Sequence, residues 1–184
     1  MRFLIMSLVA CLVVLSAAAE ASEKQRNKVL EMRAEVLENL YEQKPAAKRE
    51  IRDAEGYAVF SNVGINIVMF SAGGGRGVVH DNRTGEDTFM NMASAGVGIG
   101  LGLKDFRGIF IFHTRKALDN FVEYGWDFSG QADAAAKASD KGGEENLAGT
   151  AINGVRLYQL TETGLALQAT LQGTKYWKAK NLNE

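Results

Sequence analysis

Two histidines, one cysteine and a glycine run carry most of the chemistry that the side chains of this 184-residue chain could offer. His80 precedes Asp81, a pairing that suits general acid–base work, but neighbours on a strand point to opposite faces. His113 has no ligand-spaced partner in the sequence, so each histidine reads as a surface or hydrogen-bonded residue. No Gly-x-Ser-x-Gly elbow presents a serine nucleophile. The single cysteine, Cys11, lies in an apolar N-terminal run, which leaves the rest of the chain without a disulfide, a thiol nucleophile or a thiolate metal site. The expectation is a protein that is not an enzyme and takes neither metal nor cofactor. Gly73-Gly74-Gly75-Arg76-Gly77 invites an anion-binding reading, because successive backbone N–H groups can cradle an anion. It lacks the Gly-Lys-Ser/Thr ending and the following helix of a nucleotide loop. It therefore reads first as a bend in a sheet, and the alternative is that Arg76 meets a phosphate.

A second glycine pattern runs through residues 92–113. Gly96, Gly98, Gly100 and Gly102 fall on one face of an alternating segment, with Ala95, Val97, Ile99, Leu101 and Leu103 on the other. Glycine weakens a strand and gives nothing to pack, so four at period two require something pressed close against that face: a helix, a second sheet or a ligand. After Lys104 and Asp105, residues 106–113 are apolar on both faces. They predict a central buried strand paired back on the preceding one.

The elements that must hold these residues alternate in type. Ser22 and Gln25 have capping-box spacing, and Val29, Met32, Val36 and Leu40 line one face of a helix over 22–42, with Leu30, Leu37 and Tyr41 beside them. Pro45 sits where one helix ends and another, over 46–54, begins. Strands are expected at 57–60, 65–71, 76–81 and 86–92, with Asn82-Arg83-Thr84-Gly85 turning between the last two. Thr114 caps a helix that buries Leu118, Phe121 and Val122 and ends at Gly125. Residues 126–150 are rich in alanine, glycine and charge, and 131–146 within them read as a strand end and a mobile loop. A hairpin follows, with strands at 152–160 and 165–172 around Thr161-Glu162-Thr163-Gly164. Tyr176 and Trp177 close the core or face a membrane interface.

Export is expected from the first residues. Met1-Arg2 precedes an uncharged run over 3–19, and Ala17-Ala18-Ala19 and Ala19-Glu20-Ala21 both fit a signal-peptidase pattern, giving a signal peptide over 1–21 cleaved after Ala19 or Ala21. Leu8-Val9-Ala10-Cys11 has the look of a lipobox, a second route of processing. The mature chain, 22–184, is sized for one domain with an N-terminal helical segment over 22–54. The whole chain balances 21 basic against 22 acidic residues, without the basic surplus a nucleic-acid partner would demand. An outer-membrane barrel is disfavoured, because several strands fall short of the roughly 9 to 11 residues needed to cross.

The stretch TFMNMASAGVGIGLGLKDFRGIFIFH, with GYAVFSNVG before it and YGWDFSGQADAAAKASDKGG and LALQATLQGTKYW after it, resembles the bacterial branch of the SYLF-domain family over about residues 45–177. The resemblance implies binding of phospholipids and phosphoinositides. It implies no catalytic residues. Actin binding belongs to eukaryotic members, and an exported protein would not meet a filament. Under that implication the candidate lipid-contacting residues are Arg76, Lys104 and Arg107, with Gly96, Gly98, Gly100 and Gly102 as a candidate groove.

The sequence thus leads to an α+β domain in which N-terminal helices pack on a curved, glycine-rich, mainly antiparallel sheet, open or closed as a barrel. The expected function is non-catalytic phospholipid binding at a membrane surface, in the periplasm or outside the cell. The alternative is a structural or stress-related envelope protein whose partner is another protein.

Overall fold

A computed structural model describes residues 2–62, 74–94, 107–127, 150–152, 154–161, 164–166 and 174–184. The strand expected at 65–71, the glycine face over 96–102, Lys104, the loop over 131–146 and residues 167–172 of the last hairpin lie outside these.

The described chain is an α+β fold. Helix α1 (Arg2–Gln43) turns at Lys44 and Pro45 into α2 (Ala46–Asp53). Strands β1 (Gly56–Ser61), β2 (Gly74–Asp81), β3 (Asp87–Ser94) and β4 (Arg107–Phe112) follow. Next come α3 (Arg115–Tyr124), β5 (Trp126–Asp127), β6 (Thr150–Ile152), β7 (Val155–Thr161), β8 (Gly164–Ala166), β9 (Thr174–Lys178) and a last turn of helix, α4 (Lys180–Asn183). All strands join one antiparallel sheet in the order β5-β9-β3-β2-β1-β4-β7-β6, with β8 also on β7.

Helices cover both faces of the sheet, which is why its middle strands are apolar throughout. One face buries Tyr57, Val59, Val78, Phe89, Ile109, Ile111, Tyr158 and Leu160 against α1, α2 and α4. Val29, Met32, Val36 and Leu40 are the buried line of α1, as the 3.6-residue period predicts. Each such side chain contributes roughly 1.5–3 kcal/mol on leaving water. The opposite face buries Ala58, Phe60, Val79, Met90, Met92, Phe110, Phe112, Val155, Leu157 and Tyr176 beneath Leu118 and Phe121 of α3. Its centre is aromatic, with the Phe60 and Tyr176 rings 4.7 Å apart and those of Phe121 and Trp126 4.9 Å apart.

Local signals hold where they are short-range. The Thr114 side chain accepts from the Ala117 N–H at the start of α3, and Gly125 ends that helix at φ 67°. Asp81 takes the N–H groups of Arg83 and Thr84, and Gly85 completes the turn at φ 76°.

Four expectations are corrected. First, β4 is an internal strand but does not pair back on the segment before it. Its edges are filled by β1 and β7 over its whole length, from Arg107 to Phe112. Second, residues 74–77 are not a bend. They form regular strand, with Gly75 opposite Met92 and Gly77 opposite Phe60. A side chain at Gly77 would run into the Phe60 ring and the Val59 carbonyl, so glycine here makes room for an aromatic neighbour. Third, Ser22 does not start a helix, because α1 runs through it. Its hydroxyl donates to the Asn181 carbonyl instead. Fourth, the segment over 152–160 is interrupted by a tight turn with Gly154 at φ 82°, which pairs Ile152 with Val155. The Asn153-Gly154 dipeptide is the sequence signal for that turn. The tail holding Tyr176 and Trp177 is a full strand, β9, lying between β3 and β5.

Candidate anion-binding site

Two of the three candidate cations are described, and the sheet register makes them neighbours. Ser61, the last residue of β1, lies opposite Arg76 on β2 and opposite Arg107 on β4, so the two arginines flank it at one end of the sheet. Two strand spacings put their Cα atoms about 10 Å apart. Strand alternation directs both to the α1 side, Arg76 with Val78, and Arg107 with Ile109 and Ile111.

Above them, α1 treats the two differently. The Arg107 guanidinium lies 3.8 Å from the Glu35 carboxylate, a loose ion pair in which Glu35 is mostly exposed. Arg76 Nη1 donates to the side-chain carbonyl of Gln25, and Arg76 Nε is buried without a hydrogen-bond partner. Burial pushes the Arg76 pKa down. Gln25 and Glu35 stand ten positions apart on α1, about 15 Å along its axis, so the two guanidinium groups are drawn to separate places rather than into one pocket.

The contrast with the other charged groups between helix and sheet isolates Arg76. Arg33 of α1 donates to Asp87 at 2.7 Å, and the same carboxylate oxygen meets His80 Nδ1 at 2.7 Å. Arg156 of β7 lies 3.1 Å from Glu50 of α2. Among the arginines on described strands, Arg107 and Arg156 each have a carboxylate within 4 Å, whereas the partner of Arg76 is the neutral Gln25. A desolvated cation beside a neutral acceptor retains the charge and donor capacity that an oxyanion would use.

Two polar clusters escaped sequence reasoning. Glu50 gathers three groups: its Oε2 accepts from the Tyr158 hydroxyl at 2.7 Å, and its Oε1 lies 3.1 Å from both His113 Nε2 and Arg156 Nε. Burial raises the Tyr158 pKa, and the Glu50 carboxylate adds to the rise against the opposing pull of Arg156. The signal was available, since Glu50 stands beside Ala47, Ile51 and Ala54, the buried positions of α2 and its end. The Arg33-Asp87-His80 group is the second. It confirms that His80 and Asp81 diverge, for His80 faces Asp87 and the Tyr57 ring while Asp81 pairs with Arg115 of α3 at 2.6 Å. Among the described residues, no three His, Cys, Asp or Glu side chains stand together as a metal site, and no helix is long and apolar enough to cross a membrane.

No family model matches the chain. It is similar to Beta cell expansion factor A of Aeromonas veronii, at 34% identity over 150 residues, which cover 80% of this chain and 55% of that protein. The chain therefore spans about half the length of the curated relative it matches, and the two are homologous over most of the present sequence.

Proposed function

We propose that the protein is a SYLF-type, non-catalytic phospholipid-binding protein of the cell envelope, acting at a membrane surface with Arg76 as a headgroup contact. The observation that carries this reading is the half-buried Arg76 guanidinium, which has a neutral partner where the other strand arginines have carboxylates. A lipid phosphodiester supplies the missing negative charge through charge-assisted hydrogen bonds, which are roughly twice as strong as neutral ones. The position also fits. Arg76 lies at the sheet end where β1 finishes and β4 begins, and β4 follows directly on the glycine-rich stretch over 95–106. The motif blocks shared with the SYLF family and the relation to a bacterial homologue support the same class.

Flotation with phosphatidylcholine vesicles, with and without phosphatidylglycerol, tests the reading. The protein should float with the anionic vesicles and be released as salt rises, because exposed charges are screened beyond about 8 Å at physiological ionic strength. Equal, salt-insensitive attachment to both vesicle types would remove Arg76 from the site. Failure to bind either would favour an envelope protein as the partner.

A further inference from the structure

We infer that Gln25 is a specificity-determining residue: a neutral placeholder that holds the Arg76 side chain in position while leaving its charge available to a phosphate oxyanion. The inference rests on the proposed reading of Arg76 and names what keeps that site open. Geometry singles Gln25 out. α1 is fixed to the sheet by Val29, Met32, Val36 and Leu40, so the backbone at position 25 is set by packing on the following turns. The side chain at that position reaches Arg76 Nη1 with an amide oxygen. Glutamate has the same length and would reach the same nitrogen with a full negative charge. Three other arginines between helices and sheet meet carboxylates, with Asp87 to Arg33, Glu35 to Arg107 and Glu50 to Arg156. At position 25 the acceptor is uncharged, and Arg76 Nε next to the bonded nitrogen is buried without a partner. A phosphate arriving at Arg76 competes with one neutral hydrogen bond instead of an internal ion pair.

The test sets binding against stability. In Gln25→Glu the new carboxylate closes on Arg76, so the thermal midpoint should rise while binding to phosphatidylglycerol vesicles falls at least tenfold. In Gln25→Ala the midpoint should fall slightly while binding is kept or strengthened. Asn27→Glu, an exposed position on the same helix, carries the same change in net charge and should leave binding within twofold of wild type. A packing role for Gln25 predicts instead that binding follows stability in all three variants, and that result would overturn the inference. Equal losses in Gln25→Glu and Asn27→Glu would overturn it too, because net charge alone would explain them. If Arg76→Gln loses vesicle binding while Gln25→Glu keeps it, the lipid reading stands and the placeholder role falls. Inorganic phosphate, read by the shift in thermal midpoint, distinguishes a free anion from a headgroup. Stabilisation of wild type and Gln25→Ala but not Gln25→Glu, without vesicle binding, would support the placeholder role and overturn the lipid reading alone.

Discussion

Arg76 of β2 donates to the side-chain carbonyl of Gln25 of α1, and that hydrogen bond is the uncharged member of a set of contacts tying α1 to the sheet. Its neighbours along the helix, Arg33 with Asp87 and Glu35 with Arg107, are ion pairs. The difference of one atom type, amide against carboxylate, decides which of two similar strand arginines keeps an uncompensated charge. This ranks the two arginines for binding.

Arg76→Gln should weaken attachment to anionic vesicles at least tenfold, about 1.4 kcal/mol. Arg107→Gln should weaken it only about two- to threefold, less than about 0.7 kcal/mol, because Glu35 already offsets that charge. Titration of each variant with phosphatidylglycerol vesicles at fixed salt checks the ranking. A larger effect at Arg107 would reverse the assignment.

Asp87 serves two donors with one oxygen, and its side chain and those of Arg33 and His80 are each about one quarter exposed. Asp87→Asn should cost about 1–3 kcal/mol in urea unfolding, since Arg33 is then left half-buried without a counter-charge. Asp53→Asn removes the Arg52 pair, whose side chains are mostly exposed. It should change stability by less than about 0.5 kcal/mol.

Two glycines with positive φ separate strain from crowding. Gly125 (φ 67°) lies against the Tyr176 carbonyl, and a Cβ there would overlap it. Gly85 (φ 76°) has open space around the same position. Gly85→Ala should therefore cost about 1–2 kcal/mol, the left-handed backbone penalty alone. Gly125→Ala should cost roughly 3 kcal/mol or more, because its ψ of -166° lies in a region nearly closed to residues other than glycine and overpacking adds to that strain. Equal losses would mean that the α3–β9 contact yields more easily than its geometry implies.

Acid dependence should centre on Asp81. Burial works against its charge, but hydrogen bonds from Arg115 and from the N–H groups of Arg83 and Thr84, with the Arg115 charge, outweigh burial and hold its carboxyl below the usual range. A depressed carboxyl stabilises the fold above the unfolded value of about 3.9 and loses that contribution as pH falls through the folded value. Asp81→Asn should thus lower stability at pH 6 and differ progressively less from wild type below about pH 4. Unfolding midpoints of both proteins across that range decide the matter. A gap that persists at the lowest pH would assign the loss to turn geometry instead of charge.

What the sequence disclosed follows the range of the forces involved. Val29, Met32, Val36 and Leu40 were legible because helical period and burial repeat within four residues. The Asn82–Gly85 turn and the Thr114 and Gly125 caps were legible because their hydrogen bonds close locally. The partners of β4 were not, since an apolar strand fits any antiparallel neighbour, and only the assembled sheet sets Ile109 beside Val59 and Tyr158. Arg76 and Arg107 could be named as cations from sequence. Their unequal compensation by Gln25 and Glu35 could not, because those partners lie 51 residues away for Arg76 and on a different element for both. The partners of Glu50 escaped sequence reasoning for a related reason. In a short basic helix it passes for a local counter-charge, while its actual partners, His113 just past β4 and Arg156 and Tyr158 of β7, are synthesised much later.

The place of β9 in the sheet bears on how the chain survives its own synthesis. A polypeptide that emerges N-terminus first completes β1, β2 and β3 early, while the strand that covers the outer edge of β3 is among the last to appear. Until then that edge, with Met90 and Met92 beside it, is an unpaired template on which another unfinished chain can add a strand. The hazard is one of timing. It ends when β9 docks and Tyr176 enters the aromatic cluster, so truncation before Thr174 should yield chains that associate through β3 rather than chains that merely unfold.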